Sequence, residues 1–332
     1  LMGALLGRTG NIQISYPGGC TIGKRPIDLH LAVLKALGVK IEEHDGVLYG
    51  FCKKMTGGYY HFPKVSVGAT ENAILAAVSA EGITVLENCA REPEIIHLCH
   101  FLETMGANIE GAGENKIRIE GRKELHGTQF QVPSDRIVAG TYLLAGAATR
   151  GKVTLIDAPV LEMQALLSLY LKMGGQYEVS SGKLVADSRR VRFPVPLTET
   201  AVYPGFPTDL QSPLMAVFAT IPGESCIQES VFEDRFKIAE ELNRMGAEIK
   251  IQGKKAWIRG SFCLKGTKVR AQELRGGAAL VIAALAAKGE SIVEGYSFIH
   301  RGYEDISQDI SRLGGKIKKD TGTTIYEDIQ QY

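Results

Sequence analysis

The sequence predicts an α/β fold built from repeated helix and strand units. Three observations carry this: a helix-ending glycine motif recurs at near-constant intervals, an alanine-rich helix motif recurs between its copies, and β-branched segments follow both. The first motif reads LKALGVKI, LETMGANI, LKMGGQY, LNRMGAEI and ISRLGGKI, with its glycines at Gly38, Gly106, Gly174, Gly246 and Gly314. The spacings are 68, 68, 72 and 68 residues, a regularity that scattered glycines do not produce.

Each element has a local reason. Ahead of these glycines the apolar residues keep helical spacing, as in Ile95, Leu98, Leu102 and Met105, or Tyr303, Ile306, Ile310 and Leu313. Each such helix has one buried face. The glycine suits a left-handed C-terminal cap, and the apolar residue just after it begins a strand. The second motif, as in AILAAVSAEGITVLEN and AALVIAALAAKGESIVEG, ends at Gly10, Gly82, Gly151, Gly223 and Gly289. Its small residues allow close packing, so it is predicted to be an inner helix, shielded by strands and by the more polar outer helix. Polar loops at 64–68, 134–136, 208–209 and 273–275 introduce the later inner helices. The first copy has none, because Leu1 stands only nine residues before Gly10. One period counted back from Gly38 places a sixth outer helix ahead of residue 1, so a missing N-terminal stretch is expected.

Length and composition fit this plan. A chain of 332 residues suits two domains better than one. With 23% charged and 45% apolar residues it has the make-up of an ordinary globular protein. Its 38 basic and 37 acidic side chains leave +1, which gives no footprint for nucleic acid or a membrane surface. The six cysteines show no CxxC pairing, and His97 with His100 lacks a third ligand, so neither a metal site nor a disulfide framework is predicted. The longest apolar run, 278–287, falls short of the roughly 20 residues that cross a bilayer.

One loop departs from its sister copies. Residues 16–30 read YPGGCTIGKRPIDLH, whose glycines and prolines predict an irregular loop ahead of an outer helix, with Pro26 in the first turn. Cys20 among Gly18, Gly19 and Gly23 is expected to be exposed, with Lys24 and Arg25 near enough to favour its thiolate. The residues alone equally allow a surface loop with an unremarkable cysteine.

PGGCTIGKRPIDLH closely resembles the cysteine loop of the UDP-N-acetylglucosamine enolpyruvyl transferases. KVSVGAT, AREPEI, PSDRI, FPTDLQ, VFEDRF, ELR and HRGYE continue the likeness, in the family's order, over nearly the whole chain. The resemblance implies a two-domain inside-out α/β barrel with three βαβαββ units per domain and the substrate cleft between the domains. Residues 1–133 would form the first domain, without its first unit, and 134–332 the second. It implies transfer of an enolpyruvyl group from phosphoenolpyruvate to the 3′-hydroxyl of UDP-N-acetylglucosamine with release of phosphate, the first committed step of peptidoglycan synthesis. The family is cytoplasmic and monomeric, and uses no cofactor or metal.

Roles carry over residue by residue. Cys20 matches the loop cysteine that donates a proton, can bond to phosphoenolpyruvate and is the target of fosfomycin. Asp209, in FPTD, matches the carboxylate proposed to take the hydroxyl proton, and its place before an inner helix also makes it a candidate N-cap. Arg25, Arg301 and Arg235 match the arginines on the phosphoenolpyruvate anions, where bidentate guanidinium contacts are suited. Arg275, counted among the substrate-binding positions, and Arg136 match arginines expected in domain-closing or structural ion pairs. Arg25, Pro26, Asp28 and Leu29 match the uridine-contacting turn. Lys64, Ser66, Val67 and Gly68 match the segment that holds the diphosphate, where the start of a helix is itself an anion site. Ser66 is alternatively a plain N-cap, and Val231, in VFEDRF, is a further substrate-binding position. Val138 and Glu273 depart from the family's acidic residue and aspartate, which leaves the interdomain contacts open. The missing start supplies a lysine, an asparagine and an arginine in the family, so this chain as it stands is expected to turn over little. The alternatives are a 5-enolpyruvylshikimate-3-phosphate synthase-like enzyme, which lacks the PGGC loop, and a non-catalytic UDP-sugar binder, against which Cys20, Asp209 and Arg301 together speak.

Overall fold

The computed structural model describes residues 1–16, 26–122, 124–261 and 263–320. The first unit comprises α1 (Met2–Thr9), β1 (Asn11–Ser15), α2 (Asp28–Ala36), β2 (Lys40–His44) and β3 (Val47–Phe51). The second shows the full βαβαββ order: β4 (Tyr59–His61), α3 (Val67–Ala77), β5 (Ile83–Glu87), α4 (Pro93–Thr104), β6 (Asn108–Glu110) and β7 (Lys116–Glu120). The third runs α5 (Arg136–Thr149), β8 (Lys152–Ile156), α6 (Gln164–Lys172), β9 (Gln176–Ser180) and β10 (Lys183–Asp187). The fourth repeats the full order with β11 (Thr198–Glu199), α7 (Gln211–Ala219), β12 (Gly223–Gln228), α8 (Ile238–Arg244), β13 (Glu248–Gln252) and β14 (Lys255–Gly260). The fifth has β15 (Lys268–Arg270), α9 (Leu274–Ala286), β16 (Ile292–Glu294), α10 (Tyr296–Ile299) and α11 (Ile306–Arg312).

Each unit makes its own open sheet, in the orders β1-β3-β2, β4-β5-β7-β6, β8-β10-β9, β11-β12-β14-β13 and β15-β16, and none of these closes into a barrel. β4 with β5, β11 with β12 and β15 with β16 pair parallel because an inner helix crosses between them, whereas the hairpins are antiparallel. The helices with small residues are indeed the interior. Every residue of α7 is buried, and α5, α7 and α9 pack on one another in a core formed by residues from 137 onward. Two smaller cores gather residues before 120, one of them around α1 and α3. There a Cβ on Gly3 would stand 2.1 Å from the Asn72 carbonyl oxygen, so only glycine allows the approach.

The outer-helix glycines Gly38, Gly106, Gly174, Gly246 and Gly314 all take positive φ, as left-handed caps require. At the end of α5 the left-handed residue is Arg150, at φ 57°. Its guanidinium donates to the carbonyls of Ala148 at 3.0 Å and Thr220 at 2.6 Å, tying two inner-helix ends and offsetting the backbone cost. Three expectations need correction. Pro26 lies outside the first turn of α2, which opens at Asp28 with Ile27 as its cap. Leu313 is 38% exposed and Tyr303 precedes α11, so the buried face of that helix rests on Ile306 and Ile310. No strand follows Gly314 among the described residues.

Among the described residues no helix is long and apolar enough to cross a membrane. Cys52, Cys89, Cys99 and Cys226 are buried free thiols and Cys263 is exposed. Burial pushes the Cys89 and Cys99 thiols up to about 12.

Candidate active site

A cleft of about 1400 Å³ opens between the N-terminal units and the later ones. One wall is the start of α2 with Pro26, Asp28, Leu29 and His30, the approach to α3 from Lys64 to Gly68, and the face of α4 with Glu92, Glu94 and His97. The other wall carries Tyr203, Thr208, Asp209, Val231, Phe232 and Arg275. Thr128, Phe130 and Val132 line it from the segment between the walls.

The first wall is shaped by a helix start. Ser66 is extended and accepts the N–H of Ala69 at 3.3 Å, so the hydroxyl is the N-cap of α3. The imidazole of His30 rests against Gly68, where a Cβ would come 3.2 Å from its Cε1, and burial holds the His30 pKa below its ordinary value. The start of α3, with Val67 and Gly68, lines the cleft beside the exposed Lys64, and a helix N-terminus next to a lysine favours an anion.

The second wall is organised around Asp209. Arg235 donates to its Oδ1 at 2.7 and 2.9 Å, and Arg275 donates to its Oδ2 at 3.0 and 3.2 Å. Asp209 is thus not an N-cap: the turn Thr208–Leu210 makes no side-chain cap, and the carboxylate is taken by two guanidinium groups. It stays reachable, with 37% of its side chain exposed, while Arg235 is buried behind it and stacks on Phe232 at 5.1 Å. Burial works against the charge of Arg275, but Asp209 and Tyr303 outweigh it and hold the guanidinium above its ordinary value. Tyr303, read in the sequence only as an apolar helix position, lies under Arg275 at 5.7 Å and accepts from Thr141 or donates to it at 2.8 Å.

Contacts also cross between the walls. Arg136 donates to both carboxylate oxygens of Glu94 at 2.9 and 3.3 Å, and His97 meets Glu162 at 3.0 Å. The N–H of Tyr203 donates to Glu92 at 3.3 Å. Glu273, the departure from aspartate, caps α9 by accepting from the N–H groups of Arg275 and Gly276.

The structure thus gathers Pro26, Asp28, Leu29, Lys64, Ser66, Val67, Gly68, Asp209, Val231 and Arg275 on one cleft. Arg235 stands one layer behind it, and Arg301 is exposed and does not line it. Cys20 and Arg25 lie outside the described residues. Thr208 and Phe232, to which the sequence reading gave no role, belong to the same wall, and Glu229 is buried behind it. Thr208 and Phe232 stand within FPTD and VFEDRF, and the only signal for Glu229 was its place two residues before VFEDRF.

The fold and the cleft are those of a 1-carboxyvinyl transferase: the family described as EPSP synthase (3-phosphoshikimate 1-carboxyvinyltransferase) matches residues 1–310. The crystal structure of the enolpyruvyl transferase NikO from Streptomyces tendae superposes with a TM-score of 0.84 at 26% identity, over 96% of this chain and 76% of that one. An EPSP synthase from Acinetobacter baumannii, at 20% identity and TM-score 0.67, shares the fold. Among curated relatives, UDP-N-acetylglucosamine 1-carboxyvinyltransferase 2 of Caldanaerobacter subterraneus is 48% identical over 96% of this chain and 76% of its own length. The protein of the same name from Bacillus subtilis is 42% identical over the whole chain and 77% of its own. The chain belongs to the UDP-N-acetylglucosamine 1-carboxyvinyltransferase family.

Proposed function

We propose that the cleft binds UDP-N-acetylglucosamine and phosphoenolpyruvate and transfers the enolpyruvyl group to the sugar's 3′-hydroxyl, releasing phosphate, in peptidoglycan precursor synthesis. One observation carries this reading beyond family membership: a helix start suited to a diphosphate and a reachable carboxylate flanked by arginines face each other across one cleft. The start of α3 and Lys64 hold the diphosphate, and Pro26, Asp28 and Leu29 flank the nucleoside. Asp209 takes the hydroxyl proton as the oxygen bonds to the carbon of phosphoenolpyruvate that gives up its phosphate. Arg275 and Arg235 orient that carboxylate and supply positive charge beside the anionic substrate. Arg25 completes the anion site, Arg301 standing outside the cleft, and Cys20 donates a proton to the methylene carbon of phosphoenolpyruvate, one proton of that carbon being lost again as phosphate leaves and the double bond re-forms. The two walls are the faces of two domains that meet near residues 133 and 134, and the enzyme works as a cytoplasmic monomer.

Phosphate release measured with phosphoenolpyruvate and either UDP-N-acetylglucosamine or shikimate 3-phosphate tests this. Release, slow as it is expected to be in this chain, is expected with the sugar nucleotide and not with shikimate 3-phosphate, and Asp209→Asn is expected to slow it further, by roughly 10²–10⁴-fold. Release with shikimate 3-phosphate only would move the chain to the other branch of the family, and tight nucleotide binding without release would make it a binder.

A further inference from the structure

Behind the Asp209 wall lies a buried carboxylate that the reading above does not use. Glu229, only 2% exposed, directly follows the strand β12 at the root of the turn that presents Val231 and Phe232 to the cleft. Its Oε1 accepts from the N–H groups of Val231 at 2.8 Å and Phe232 at 3.0 Å and from the Thr200 hydroxyl at 2.8 Å. Its Oε2 accepts from the Thr208 hydroxyl at 2.9 Å. An ionised carboxylate accepts only, so four donors are directed at it and the direction of each bond is fixed. Thr208 has a single proton, and giving it to Glu229 leaves its oxygen to accept from Arg235 Nη1 at 2.8 Å. The same nitrogen donates to Asp209 Oδ1 at 2.9 Å. Glu229 and Asp209 together also balance the charges of Arg235 and Arg275.

We propose that Glu229 is a positioning residue for the transfer, acting through Thr208 and Arg235 to fix the Asp209 carboxylate towards the sugar hydroxyl. This rests on the reading of Asp209 as the proton acceptor. Glu229→Gln separates the two halves of the role. The amide oxygen, placed at Oε1, keeps the three donors that shape the Val231 and Phe232 turn, whereas the amide nitrogen, placed at Oε2, faces Thr208 with a donor. Thr208 then meets two donors and loses the acceptor of its own proton, which unsettles the hold of Arg235 on Asp209.

The expected result is a fall in kcat of about tenfold to 10²-fold, the scale of a misplacement of about 1 Å, with KM for UDP-N-acetylglucosamine changed less than about twofold. Thr208→Val, which breaks the same link from a half-buried side chain, gives the same split, and Thr208→Ser restores the rate. The double variant Glu229→Gln with Thr208→Val is no slower than the slower single variant, because both cut one chain of contacts. Single variants with unchanged kcat, or a double variant whose loss is the product of the two, overturn the proposal. If wild-type protein releases no phosphate, the functional reading fails by itself, and crystal structures of the two single variants then decide. An Asp209 carboxylate displaced from Arg235 supports the positioning role, and one left in place overturns it.

Discussion

Glu71 reads in the sequence as an ordinary polar position on a helix, yet α3 packs it into surroundings that disfavour its charge. Burial raises its carboxyl above the ordinary value of 4.5, and Glu94 and Glu92 add to the effect. A carboxyl held above its unfolded value binds its proton more readily in the folded chain. Its contribution to stability is therefore complete below pH 4.5 and is lost as pH rises through the raised value. Glu71→Gln is expected to match the wild-type melting temperature near pH 4 and to exceed it at pH 7.5. Thermal unfolding at the two pH values checks this, and an offset that is the same at both would show that Glu71 does not titrate within that window. Asp209 teaches the same lesson at the site. FPTD pointed to a carboxylate of interest, but the choice between an N-cap and an ion-paired side chain was made by Arg235 and Arg275, which lie 26 and 66 residues further along the chain.

At the scale of elements, the repeat explains where glycine is required. Gly121 follows β7 and Gly260 ends β14, equivalent places in the two complete units, and each strand end runs over the last carbonyls of its inner helix. A Cβ on Gly121 would stand 1.7 Å from the Ala80 oxygen, and one on Gly260 would stand 2.1 Å from that of Ile221. Gly38 has open space around it and needs glycine only for its φ of +89°. Gly121→Ala is therefore expected to cost about 3 kcal/mol or more, at the upper end of overpacking penalties. Gly38→Ala is expected to cost about 1–2 kcal/mol, the strain of a left-handed backbone. Urea unfolding of both variants measures the difference, and equal costs would mean that the strand end shifts to make room. The positions of the outer-helix caps were legible because a left-handed cap is a local demand. The closeness at Gly121 was not, because the atoms it avoids belong to another element.

For the whole molecule, the contacts that join the two walls hold the cleft in its present shape. Among them Arg136, with 11% of its side chain exposed, is forked on Glu94 and lies 5.8 Å from the Tyr203 ring. Arg136→Ala is expected to enlarge the radius of gyration in X-ray scattering and to weaken UDP-N-acetylglucosamine binding about tenfold, the equivalent of about 1.4 kcal/mol, in calorimetry. An unchanged radius and affinity would show that the walls are held by other means. By itself the sequence determined the repeated unit, the inner and outer helices, the family and ten of the residues that line the cleft, since periodicity, capping and motif are written in neighbouring residues. The tertiary structure decided what no local signal carries: that Arg235 and Arg275 grip Asp209, that Arg301 stands apart from the cleft, that a left-handed Arg150 caps α5, and that Glu229 lies behind the wall that holds Asp209. Each of these depends on side chains brought together from different units. The charge and hydrogen-bond partners of a buried group are set by three-dimensional packing rather than by its neighbours in sequence.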